Sequence, residues 1–110
     1  MEAKHRPPRK FFFSPTGTPS PVKITFLNEP TWKQREKGEA LVALVSRDGS
    51  MAEELEQYTP DAYDLSEALV AALGGTVGGK SCTVSIETRS VPSRKGGSIA
   101  VISKFIATPL

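Results

Sequence analysis

The string Gly74-Gly75-Thr76-Val77-Gly78-Gly79-Lys80-Ser81 satisfies G-x-x-x-x-G-K-[ST] letter for letter. In a phosphate-binding loop of that pattern the glycine-rich amides cradle phosphates, the lysine reaches them and the hydroxyl meets magnesium. Such a loop follows a buried strand and opens a helix, whose N-terminal amides hold the anion. Here the order is reversed: a helical pattern precedes the string, and the alternating run Ser81 to Ile86 follows it. The sequence also offers no apolar strand ending in an aspartate to hold magnesium, and no parallel sheet of the kind that carries the motif. The string reads as a helix end followed by a turn, and nucleotide hydrolysis is not expected.

The remaining reactive residue types are sparse. His5 is the only histidine and stands in a proline-rich segment, with nothing to position it as a general base. Cys82 is the only cysteine and alternates with Val84 and Ile86, the placement of a thiol packed as a small hydrophobe rather than a nucleophile. One cysteine makes no internal disulfide and, with one histidine, no zinc site, so the chain reads as made for a reducing compartment and cytoplasmic. Glu53, Glu54, Glu56, Asp61 and Asp64 lack the glycine-centred spacing of a calcium loop and read as a solvated acidic face. No catalytic residue, cofactor or metal ion is expected, and the chain reads as non-enzymatic. Phe11-Phe12-Phe13 is too short for a signal-peptide core, and no apolar run is long enough for a membrane span.

What remains is charge and aromaticity. The net charge is only +2, but its distribution is uneven. Cations gather at Lys4, Arg6, Arg9 and Lys10, at Lys33, Arg35 and Lys37, and at Arg94 and Lys95, whereas residues 53 to 67 hold six acids and no base. Cations that track phosphates, beside an aromatic ring that stacks on a base, are the recipe for binding single-stranded nucleic acid. The candidate set is Trp32, Lys33, Arg35, Lys37, Arg47, Arg94 and Lys95. Trp32 also fits a cap over one end of a core. Glu29, Glu36 and Glu39 dilute the first cluster, and a strand through Glu53, Glu54 and Glu56 would aim at least one glutamate at phosphate unless that segment is helical.

These residues need elements to hold them. At 110 residues there is room for one domain. Residues 1 to 21 hold five of the nine prolines and read as a flexible basic arm, its Phe triplet tacking either onto the body or onto a partner. Residues 22 to 110 read as the folded domain. Val22, Ile24 and Phe26 alternate with Lys23 and Thr25, predicting a first strand over 22 to 28. Asn28 to Glu39 reads as a loop or hairpin tip around Trp32, and a second strand follows at Ala40 to Arg47. Asp48-Gly49 predicts a type I′ turn into a third strand over 51 to 58, a segment that also suits a helix. Thr59-Pro60 reads as N-cap and first helical residue, with Leu65, Leu69, Ala72 and Leu73 at helical spacing and Gly74 or Gly75 as the stop. Strands follow over 80 to 90 and 98 to 108, joined through Pro92 to Gly97.

Three strands, a helix, then two strands is the order of the OB-fold, a mostly β, partly open five-stranded barrel with its helix between strands three and four. Its first-to-second and fourth-to-fifth strand loops frame the ligand groove, and these would carry the cations. An α+β sandwich with a split sheet is the alternative. The run from Val22 to Arg89, above all Leu65 to Arg89 (LSEALVAALGGTVGGKSCTVSIETR), resembles small OB-fold single-stranded DNA-binding proteins of phage and archaeal type. In these a short helix ends in Leu-Gly and leads through Val-Gly-Lys into strand four. The resemblance implies that Gly79-Lys80 is a structural turn; the extra Gly78 departs from the usual spacing, and Thr108-Pro109-Leu110 stands where such proteins often carry an acidic tail. The expectation is a sequence-tolerant binder of single-stranded DNA or RNA, monomeric or homodimeric and away from membranes. The rival is a protein-interaction module that docks through residues 1 to 20 or through the acidic face.

Overall fold

In the computed structural model, which describes residues 11–16 and 21–110, one antiparallel sheet of six strands carries one helix. The strands are β1 (Val22–Phe26), β2 (Thr31–Arg35), β3 (Gly38–Arg47), β4 (Glu53–Tyr58), β5 (Ser81–Pro92) and β6 (Ser98–Pro109), and the helix α1 (Asp61–Leu73) lies between β4 and β5. The mostly β expectation with a single helix is met. The strand count is six rather than five, because the segment expected to be a loop or hairpin tip around Trp32 forms β2, which pairs with β3 as a hairpin. The segment 53 to 58 is a strand and not a helix.

β3 is the hub. Its C-terminal half pairs with β1 (Phe26 opposite Val45) and its N-terminal half with β2 (Trp32 opposite Leu41), both along one edge, while β4 takes the other edge (Leu55 opposite Ala43). β1 continues the sheet to β5, and β5 pairs with β6. Among the described residues no ladder joins β4 to β6, so the sheet stays open. The opening is occupied by Phe11–Phe13. Phe11 makes a parallel bridge to Glu56, the Phe12 N–H donates to the Glu56 carbonyl at 2.9 Å, and the Phe13 N–H donates to Gln57 Oε1 at 3.0 Å. Of the two addresses expected for the triplet, the body is the one it takes: Phe12 is fully buried against Phe26, and Phe13 meets Phe105 of β6 edge-on at 5.7 Å. Burying each ring stabilises the fold by about 1.5–3 kcal/mol. The rest of the expected arm, residues 1–10 and 17–20, with Lys4, His5, Arg6, Arg9 and Lys10, lies outside the described residues.

The sequence signals for turns act as expected at Asp48-Gly49. Both residues have positive φ (50° and 78°) and the Ser50 N–H closes the turn on the Arg47 carbonyl at 2.9 Å, since type I′ geometry needs residues that tolerate the left-handed region. Helix α1 buries Ala62, Leu65 and Leu69, spaced to form one stripe, mainly against β6 and also towards β4 and β3. It stops at Gly74. Its start differs from expectation: Pro60 is the N-cap, joined to Thr59 by a cis bond, and no side chain caps the helix.

β5 and β6 are twelve residues each. Their ladder shifts register between Glu87 and Thr88, and beyond that bulge the hairpin runs on as an arm whose Thr88, Arg89 and Ser90 are exposed. A bulge of this kind bends a ribbon away from its sheet. Its tip is closed by the Gly96 N–H on the Ser93 carbonyl and the Ser93 N–H on the Gly97 carbonyl. Among the described residues no helix is long and apolar enough to cross a membrane.

Candidate nucleic-acid interface

Alternation along β2 separates the residues proposed to act together. Trp32 shares the helix side of the sheet with its cross-strand partner Leu41, whereas Lys33 and Arg35 point to the opposite face. Trp32 is 41% exposed and packs against Tyr63 of α1 with ring centroids 5.6 Å apart. Trp32 forms one wall of a cleft of about 170 Å³ between β2 and α1, floored by Leu41, Leu69 and Val77, with Val70 and Glu29 also lining it. Trp32 thus stands beside a second aromatic ring rather than among the cations next to it in sequence. Tyr63 was not among the candidates, and its only sequence signal was an aromatic residue on the polar side of a helical pattern.

The cations divide into two groups. Arg47 is held by Glu53, with Nη2 at 2.6 Å and Nε at 2.7 Å from Oε1. Arg35 reaches Glu54 at 3.7 Å across the outer face of the sheet, and its Nε is buried without a partner. The same outer face holds Glu56, which is 7% exposed and whose Oε2 is buried without a partner. Glu54 and Glu56 therefore sit where a nucleic-acid strand crossing the outer face of β3 and β4 would run. Lys33 and Lys37 are exposed, Lys37 in the two-residue turn between β2 and β3. Arg94 and Lys95 are exposed at the tip of the β5–β6 arm. Among the described residues no carboxylate is in ion-pair reach of Lys33, Lys37, Arg94 or Lys95.

The arm adds Arg89, another cation outside the candidate set. Arg89 stands opposite Val101 in the ladder and lines a groove of about 570 Å³ between the arm and the start of α1. Asp61 and Asp64 form the far wall. Partial burial, and then the neighbouring Asp64 charge, push the Asp61 carboxyl above its ordinary value. From Thr88 to Ile102 the chain carries Arg89, Arg94 and Lys95 and no carboxylate.

The three chemical parts of the G-x-x-x-x-G-K-S string are all engaged within the fold. Lys80 Nζ donates to the Leu73 carbonyl at 2.7 Å and caps the end of α1. Ser81 Oγ and Thr25 Oγ1 share a hydrogen bond of 2.9 Å. The amides of Val77 and Gly78 both donate to the carboxylate of Glu29, at 2.9 and 2.6 Å. Gly78 lies against the Asn28–Glu29 backbone so closely that a β-carbon there would come within 2.9 Å of the Glu29 nitrogen, and only glycine fits.

Cys82 is fully buried in the core, and burial pushes its thiol up to about 11. At neutral pH the nucleophilic thiolate is therefore scarce. Among the described residues no three His, Cys, Asp or Glu side chains gather as a metal site. Comparison with protein-family models and with curated proteins finds no match to the chain.

Proposed function

We propose that the chain is a non-catalytic, sequence-tolerant binder of single-stranded nucleic acid, built on an OB-like sheet whose barrel is left open. The observation that carries this reading is the pairing order. β1 and β2 lie one after the other along the same edge of β3, so they stand for one interrupted strand. Counted that way the order is three strands, helix, two strands, with the first between the second and the fourth, as in the OB-fold. The two loops that serve ligands in that fold correspond to the β2–β3 turn with Lys37 and the β5–β6 tip with Arg94 and Lys95. On this reading Lys33, Lys37, Arg89, Arg94 and Lys95 take phosphates, and Trp32 with Tyr63 takes a base. Arg35 and Arg47 serve the fold through their glutamates.

The lone tryptophan supplies the test. Titration of Trp32 fluorescence with oligothymidine at two salt concentrations is expected to give saturable quenching that weakens with salt, the affinity falling as roughly the 0.7 power of salt for each phosphate engaged. An unchanged signal, together with no retention in filter binding at low salt, would sink the reading.

A second reading rests on α1, which carries Asp61, Asp64 and Glu67, no base, and an exposed Tyr63 and Val70 beside the Trp32 cleft. That surface suits a basic partner protein with apolar anchors. Tyr63→Glu would then abolish the association, while reversing Arg94 and Lys95 would leave it intact.

A further inference from the structure

The loop after α1 resembles a phosphate-binding string in sequence, and in the fold two of its amides do hold an anion. That anion belongs to the chain. Val77 N–H lies 2.9 and 3.1 Å from the two oxygens of Glu29, and Gly78 N–H lies 2.6 Å from Oε2. Two successive amides converging on one carboxylate form the kind of concave nest that takes oxyanions in many proteins. Gly79, with φ +82°, supports it, because the Lys80 N–H then returns to the Val77 carbonyl at 3.1 Å and the next amide, that of Gly79, is tied to the Phe26 carbonyl at 2.8 Å. The nest is thereby held in shape by bonds that do not involve Glu29.

The side chain that fills it is exposed and enters from the break between β1 and β2. Among the described residues its carboxylate bonds only to the Val77 and Gly78 amides. Its backbone neighbour Asn28 is fixed separately, Oδ1 accepting the Leu44 N–H at 2.9 Å. The nest also adjoins the cleft walled by Trp32, since Glu29 and Val77 line that cleft together with Gly75. An anion in the nest would sit at one end of a pocket whose wall is an exposed aromatic ring.

From this we infer that the Val77–Gly78 turn is an oxyanion site for a phosphate group, with Glu29 as its built-in competitor. A phosphate that enters must displace the carboxylate, while the Gly79 N–H to Phe26 carbonyl bond keeps the turn tied to the end of β1. A tethered competitor acts at an effective concentration of about millimolar or above, so the wild type takes free phosphate more weakly than a chain without it. The phosphate could arrive as the free ion or as part of a nucleotide strand. The inference stands whether or not the chain binds nucleic acid along its hairpins.

The experiment compares wild type with Glu29→Ala, both as the full chain, by titrating inorganic phosphate against chloride at matched ionic strength. The amide resonances of Val77 and Gly78 are followed, with thermal unfolding in parallel. Saturable shifts of those two amides in Glu29→Ala at concentrations below those needed by wild type, and a Tm raised by phosphate more in the variant than in wild type, would support the site. A folded Glu29→Ala whose two amides ignore phosphate would overturn it. If Glu29→Ala folds only when phosphate is added, that rescue supports the site. If it folds in neither buffer, Glu29→Gln, which keeps one carbonyl acceptor and loses the charge, is titrated in its place, and silence there overturns the inference too. Repeating the titration with thymidine 5′-monophosphate and with an oligothymidine lacking terminal phosphates distinguishes the source. Preference for the monophosphate, with Trp32 quenching, assigns the cleft to a nucleotide end; equal response to inorganic phosphate assigns the nest to the free ion. Failure here leaves the oligothymidine assay untouched, because its salt dependence reads the hairpin cations and its quenching reads the Trp32 ring, neither of which requires the nest.

Discussion

The β2–β3 hairpin and the β5–β6 hairpin carry similar numbers of cations and present them differently. In the first, β4 brings glutamates across the sheet, so that Arg47 is closed onto Glu53 and Arg35 reaches Glu54. In the second, the ladder continues past the Glu87 bulge into an arm with no carboxylate of its own, and Arg94 and Lys95 stand at its tip in solvent. A count of Lys and Arg along the chain treats the two alike. The register of β3 against β4 decides which charges remain available to a polyanion, because an opposite charge a few ångströms away cancels most of the potential felt beyond the Debye length.

The sharpest way to break this comparison is Arg94→Glu with Lys95→Glu. Oligothymidine affinity at low salt is expected to fall by about 100-fold, and the logarithmic salt slope to become shallower by about 1.4, with the Tm unchanged. A loss of that size from Arg35→Ala and Arg47→Ala instead would reverse the assignment. For Arg47→Ala alone the expected effect is on the fold, about 1–2 kcal/mol in urea unfolding, since it removes the two charged donors that Arg47 gives to the Glu53 carboxylate. Its oligothymidine affinity should change less than about threefold.

Cys82, at the base of the second hairpin, gives a pH signature. Its thiol ionises near 9.0 when unfolded and at about 11 in the fold. The unfolded chain therefore releases its proton first, and this contribution to stability is intact below pH 9 and declines as pH rises from there towards 11. The slope is at most about 1.4 kcal/mol per pH unit, and Cys82→Ala should flatten it. Urea unfolding at pH 8, 9 and 10 measures it. The smallest effect is expected from Glu54→Gln, which frees Arg35 and removes an acid from the outer face. Oligothymidine binding should tighten about two- to threefold at low salt and show no gain at high salt, where screening removes the term.

The sequence made some of this legible for local reasons. Alternation in Val22–Phe26 and Cys82–Ile86 reports strands with one buried face, and Asp48-Gly49 reports a turn, because in each the governing interaction lies within a few residues. β2 escaped because its side chains are nearly all exposed and its flanks are Pro30 and the Gly38 turn, so neither periodicity nor composition marks it. Its strand character comes from β3 alone. The candidate site was readable as an inventory of residue types and not as an arrangement. Trp32 beside Tyr63, Arg47 on Glu53 and Glu29 on Val77 each depend on partners that only the tertiary fold brings near. Phe11–Phe13 announced apolar surface without an address, which the gap between β4 and β6 supplied.

That address has a consequence for how the chain is made. Phe13 is made well before Phe105, the ring against which it packs. Phe12 gains Phe26 soon after it is made, but until Phe105 is made Phe13 lacks its ring partner, and the nascent chain presents it as apolar surface of the kind that holdase chaperones engage. Closing that contact joins residues far apart in the chain, so folding is expected to be slow and rich in non-local contacts.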